Sequence, residues 1–362
     1  MKYLVVGGAL VGGILLGFRP GGLSYPKPRW WRWLAMLSLA LLVFLSFWIP
    51  TGGTFGGAEM VIIGRGHEAA SPVLVEVIEA NEGRITGQDE NEQKATIDIS
   101  SLPEATRSEL TPGTSVILQL SKSENGGYAA LRVIRMNPSI TLPLLPALEE
   151  RARNLYFHVP SAWLAQLAWF IAFAYAILFL RKGRLEDDIK ASSTAAVGAL
   201  FCVLATVTGS IWAKFNWGSF WNWDPRQVSI FIVLAIYGAW FALRSAISSS
   251  EQRARVSSIY LVLLALPVTF FIFVYPRITA GLHPGAEGSP TVGPVIDPNE
   301  IWLNPTKQAL FALGFFAFSL LFFWMVNLSV RSRMIDRKRV ASSEHRKEAM
   351  PHKAPEIEAI GG

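Results

Sequence analysis

Apolar residues in this chain gather into long unbroken runs, and polar residues are confined to the gaps between them. A run of about 20 apolar residues matches the hydrocarbon thickness of a bilayer. The pattern predicts spans at 1–18, 33–49, 155–180, 192–213, 228–247, 256–275 and 307–329. The first carries a lone Lys2 and lacks an evident small-residue cleavage site, so it reads as an extra span rather than a signal peptide. The third reads as a helix entered through Pro160 in its first turn. Residues 51–152 break the rhythm. There PVLVEVIEA, ATIDIS, TSVILQL and YAALRVIRM alternate with a period of two, separated by turns such as NEGR, TPGT and ENGG. They predict a small antiparallel barrel or sandwich, OB-like in its spacing. The predicted fold is an all-α polytopic membrane protein with six core transmembrane helices, one extra N-terminal span and a small β-rich extracytoplasmic insert. Four regions follow: 1–50 with the N-terminal membrane segments, 51–152 the insert, 153–330 the main membrane domain, and 331–362 a basic tail that reads as disordered.

Composition supports the membrane class. The chain is 51% hydrophobic and 17% charged, where soluble domains carry about a quarter charged residues. The single cysteine, Cys202, excludes an intrachain disulfide, a CxxC redox pair and a CxxCH attachment site. The net charge of +6 has a location that argues against nucleic-acid binding. Four Lys/Arg lie in 19–32, four in 181–190 and eight after Val330, whereas 276–306 has only Arg277. Basic loops face the cytoplasm. The insert, with 9 Lys/Arg against 14 Asp/Glu over 51–157, then lies outside, together with His158, residues 217–226 and His283. That topology places all of these on one non-cytoplasmic face of the membrane.

Chemistry concentrates in Trp217–Asp224, reading WGSFWNWD, followed by Pro225 and Arg226. Three of the chain's 13 tryptophans fall there, with Phe220 beside them. A single Trp at this depth is an interfacial anchor, but a belt does not require Trp217, Gly218, Phe220, Trp221 and Trp223 in one loop. The cluster suits a large planar ligand. His158 and His283 belong to the same face, and imidazole is a strong axial ligand for haem iron. Arg226 suits a propionate, and Asp224 either orients the loop or pairs with Arg226. A lone histidine at a helix start is more often only hydrogen-bonded, and His67, His345 and His352 read as solvated. From the residues alone the reading stops at haem or another large planar ligand.

WGSFWNWDPRQVS, with YFHVP before it and GLHPG after it, resembles the tryptophan-rich WWD signature of the haem-handling proteins of cytochrome c maturation. The resemblance covers about 150–330 and is nearest to the CcmC branch, the haem exporter protein C family. It implies a haem b held non-covalently and transiently by the tryptophan loop, with His158 and His283 as axial ligands. It further implies delivery to a periplasmic haem chaperone of the CcmE kind, beside ABC-type exporter subunits (CcmA- and CcmB-like) and a small CcmD-like membrane subunit. No catalytic residue is implied. Phe220-Trp221 stands where that branch usually has Trp-Trp. Asp224-Pro225 is closer to the CcsA and CcmF branches, which implies the alternative of a haem lyase component joining haem to apocytochrome c. Apart from His158 at the very start of the third, the predicted spans contain no histidine, and the absence of a histidine pair in mid-membrane favours delivery over a lyase role. A membrane transporter is a second alternative, and it would require ionisable groups at membrane depth, of which the spans offer few; a third is a purely structural membrane subunit anchored by its tryptophans.

Overall fold

The computed structural model describes residues 2–66, 69–123, 126–145, 148–283, 286–287 and 305–348. His67, Pro284, Gly285 and His352 lie outside the described residues, as does the side chain of His345. In chain order the elements are α1 Lys2–Phe18, α2 Arg29–Trp48, β1 Thr51–Gly52, α3 Phe55–Arg65, β2 Ser71–Asn81, β3 Arg84–Gln88, β4 Lys94–Asp98, α4 Glu104–Glu109, β5 Ser115–Lys122, β6 Tyr128–Met136 and β7 Leu142–Pro143. A 3-10 turn at Glu149–Asn154 leads into α5 Leu155–Lys182, followed by α6 Leu185–Trp217, α7 Pro225–Ala246, α8 Ser250–Leu263, α9 Ala265–Thr269 and α10 Pro305–Glu348.

Among the described residues, five helices (α2, α5, α6, α7 and α10) are long and apolar enough to cross a membrane, and α8 with the segment Ala265–Arg277, bent by 42°, brings the number to six where that pair is taken as one span. The chain is therefore a multi-pass membrane protein. The bend has a cause in the sequence: Pro267 cannot donate a helix bond, and its ring clashes with the carbonyl four residues back, which is where α8 ends at Leu263. Beyond α9 the chain continues as a π turn at Phe270–Val274 and a 3-10 turn at Tyr275–Arg277. Helix α1 is shorter and lies against α10, with Gly17 under the Phe323 ring and Phe18 packed on Phe323 at 4.9 Å.

Two expectations are corrected. Pro160 is not in the first turn of its helix but inside it, because α5 begins at Leu155. Its missing N–H releases the Tyr156 carbonyl, against which Gly314 of α10 packs so closely that a Cβ would sit 2.8 Å from that oxygen. The segment after Val330 is not disordered through its described part: α10 continues to Glu348, since its Arg-, Lys- and Glu-rich sequence is made of good helix formers.

Within the insert, five strands close into a barrel in the order β2-β3-β4-β6-β5. Period-two alternation turns Val73, Val75, Val77, Ile85, Ile97 and Leu118 into a core. Strand β3 escapes sequence reading because Arg84–Gln88, RITGQ, carries a single large apolar residue. The closure is not wholly antiparallel, since β4 and β6 run parallel. Asp89 fastens the plug helix α3 by accepting from Phe55 N–H at 2.8 Å. Strand β1 pairs with β7, and Arg153 donates to the carbonyls of Ser46 and Ile49 and to Thr51 Oγ1. These contacts fix the barrel to the end of the bundle where α2 finishes and α5 begins, the end that also carries Trp217.

Candidate functional site

The tryptophan loop is built by two caps. Helix α6 stops at Gly218, whose φ of +82° suits glycine. Helix α7 starts at Pro225, pre-set for a first helical position, with Asp224 as N-cap accepting from Arg226 N–H at 2.9 Å. Between the caps Gln227, itself buried, holds the loop by its amide: Asn222 N–H donates to its Oε1 at 2.7 Å, and its Nε2 donates to the Phe220 carbonyl at 3.2 Å. Trp223 is held at φ +54°, a left-handed conformation that costs a non-glycine residue about 1–3 kcal/mol. The consequence is that Trp223 stands 71% exposed, with Trp221 set edge-on to it at 5.8 Å and Phe220 also exposed. An apolar, aromatic face is thereby presented outward rather than folded under.

Asp224 does more than cap. Only 4% exposed, it also accepts from Leu282 N–H at 2.6 Å and from His283 Nδ1–H at 2.6 Å. Gly281 permits that approach, because a Cβ there would lie 2.8 Å from Asp224 Oδ2. Trp217 closes on His283 edge-to-face at 4.6 Å. Burial pushes the His283 imidazole toward its neutral form, and that outweighs the pull of the carboxylate. Burial works against the Asp224 charge too, but the bonds from His283, Arg226 and Leu282 hold its carboxyl down to about 2. At neutral pH the pair is an ionised carboxylate and a neutral imidazole whose proton sits on Nδ1, leaving the Nε2 lone pair open.

His158, four residues into α5, presents the same open nitrogen by a different route. Its Nδ1 lies 3.0 Å from Thr208 Oγ1. The Thr208 hydroxyl donates its only proton to the Leu204 carbonyl at 2.7 Å, so it accepts from Nδ1–H and again leaves Nε2 open. The ring lies over Gly209 of α6, where a Cβ would come within 2.9 Å of Cε1. His158, His283 and the half-buried Arg226 are within electrostatic reach of one another. Metal-ligating histidines almost always donate their second nitrogen to such a partner. Among the described residues no group of three or more His, Cys, Asp or Glu could hold a bare metal ion. Two open imidazoles instead fit an ion that brings its own equatorial ligands, as haem iron does.

The family model described as Heme exporter protein C matches residues 142–345, more than half of the chain. The chain belongs to the Heme exporter protein C family. The protein of that name from Paracoccus denitrificans is 28% identical over 195 residues, covering 52% of this chain and 75% of the relative. That from Bradyrhizobium diazoefficiens is 32% identical over 105 residues, 29% of this chain and 40% of the relative. The Escherichia coli K12 protein is 28% identical over 179 residues, 49% of this chain and 69% of the relative.

The Heme exporter protein C match contains every candidate site residue and leaves out α1, α2 and the barrel. The structure joins Trp217, Asp224 and His283 by direct contact and sets Trp221 edge-on to Trp223, while Lys214 lies 5.7 Å from the Phe220 ring. Asp224 meets Arg226 through the backbone N–H of Arg226. Four supporting residues are not predicted from the sequence. Gln227, Gly281 and Thr208 have no signal beyond being polar or small, and Gly209 is one of two helical glycines in α6, its role set wholly by the ring above it.

Proposed function

We propose that the protein binds haem b at the periplasmic face of a bacterial inner membrane and hands it to a periplasmic haem chaperone during cytochrome c maturation. Haem is cargo in this reading. His158 and His283 take its iron axially through Nε2. Phe220, Trp221 and Trp223 offer their exposed faces to the macrocycle, and Arg226 pairs with a propionate. ABC-type exporter subunits and a small membrane subunit of the CcmA, CcmB and CcmD kinds are the expected companions.

One observation carries the proposal: Asp224 fastens the tryptophan loop and the His283 loop with three hydrogen bonds, so aromatic platform and ligand are a single built unit. The relatives' name, Heme exporter protein C, supports the choice of haem as the planar ligand. The test is the visible absorption spectrum of detergent-purified protein supplied with haem, beside His158→Ala and His283→Ala. A Soret band in the parent, weakened or shifted in each variant, is expected. A parent that takes up no haem, even with a periplasmic acceptor present, would end the haem reading.

A further inference from the structure

A second polar site lies inside the bundle, well away from the tryptophan loop. Trp169 is 14 positions along α5 from Leu155, about 20 Å down the helix at 1.5 Å per residue. Gln166, one helical turn from it, and Tyr237 of α7 line the same small cavity, walled otherwise by Ala165, Cys202, Val268 and Ile272. Gln166 Nε2, Trp169 Nε1 and Tyr237 OH are buried there and have no hydrogen-bond partner among the described residues. An unmet polar group is costly in a protein interior, and the lipid around a membrane bundle offers no relief.

We propose that this cavity is a binding site for a single internal water molecule, held by Gln166, Trp169 and Tyr237. The size fits one water-sized molecule, and a buried water makes about three hydrogen bonds. The chemistry fits as well. Trp169 and the Gln166 amide nitrogen can only donate, and Tyr237 can donate or accept; one water answers all three by accepting from the first two and donating to the third. An anion is excluded because no cation is among the lining residues. The water links α5, which carries His158, to α7, which Asp224 caps. Within the cavity walls these two helices otherwise meet through the Trp169–Tyr237 ring contact at 5.1 Å.

Radiolytic hydroxyl footprinting of the full-length protein in detergent tests this, because a buried side chain is oxidised only where water is held against it. Trp31 and Trp240 are the dry controls: they are equally buried, and their indole N–H groups already donate to Leu16 and Ser257 carbonyls. Labelling of Trp169 and Tyr237 several-fold above those controls is expected, and it should fall toward control level in Gln166→Leu. Control-level labelling in the parent would show a dry cavity and overturn the proposal, whatever the haem spectrum shows. Strong labelling that Gln166→Leu leaves unchanged would overturn the assignment of Gln166 as a holder.

Discussion

Two buried aspartates, one at each end of the bundle, are used in opposite ways. Asp188 of α6 receives both arms of Arg244 of α7, at 2.8 and 3.0 Å, and Arg244 also reaches Ser257. Asp224, at the other end, receives a histidine and two backbone N–H groups. A guanidinium is always charged and has only donors, so the first pair is chemically closed. An imidazole has a second nitrogen and can lose its charge, so the second pair stays open toward a ligand. The same carboxylate, given a different partner, makes a clamp at one end and, in the proposed function, orients a ligand at the other.

The largest effect should come from breaking the clamp. Removing one partner of a buried ion pair strands the other charge and costs about 3–5 kcal/mol. Asp188→Ala should therefore lower the midpoint of thermal unfolding sharply, while the protein that remains folded takes up haem normally. Loss of haem uptake without loss of stability would dissolve the contrast between the two ends. Next in size is Asp224→Asn, which keeps the shape but gives His283 a neutral partner. Losing a residue that orients a metal ligand costs about 10–100-fold in affinity, and the shift of the Soret titration should approach that of His283→Ala. An Asp224→Asn protein with parental affinity would reduce Asp224 to a helix cap.

Acid separates the ends further. Burial lowers the His283 pKa below that of the unfolded chain, so the unfolded state binds more protons. The stability contributed by neutral His283 is then present above about 6.5, the unfolded value, and is lost as pH falls through the depressed folded value. Asp224 acts in the same direction lower down: its contribution is present above its ordinary value and is lost toward about 2. Haem should accordingly dissociate on acidification, in one step that tracks His283 protonation. A Soret band that stays full on acidification until the protein itself unfolds would contradict an axial role for His283.

The spans are legible because soluble cores seldom call for apolar runs of membrane length, and four of the five barrel strands because alternation survives wherever large residues sit inside. Strand β3 is lost because Gly87 fills an inward position crowded by Val75 and Ile97, each of which would stand 3.2 Å from a Cβ placed there. At the candidate site, the residues proposed to touch a ligand stand out in the sequence as rare types in dense company. Their supports are not. The sequence lets Asp224 steady its own loop, but nothing local tells it that His283, 59 positions on, will arrive at 2.6 Å. Thr208 and Gly209 look like ordinary residues of an apolar helix until α5 lays an imidazole across them.

The smallest effects belong to that α5–α6 contact, and they split in a way that tests it. Thr208→Val removes the acceptor for His158 Nδ1–H while keeping the shape. A neutral hydrogen bond is worth about 0.5–1.5 kcal/mol net, so haem affinity should fall by a factor of about 2–10, less than for the charge-assisted bond at Asp224. Gly209→Ala acts by volume instead. Alanine is a better helix former than glycine by about 0.5–1 kcal/mol, and Gly209 has no left-handed backbone to strain. Set against the bond to Thr208 that a displaced ring gives up, which is of similar size, that gain should leave stability nearly unchanged. The new Cβ, 2.9 Å from His158 Cε1, must nonetheless push the ring off its seat and weaken haem binding by at least as much as Thr208→Val. Affinity falling at one glycine while stability holds is the outcome that a merely structural His158 would not give.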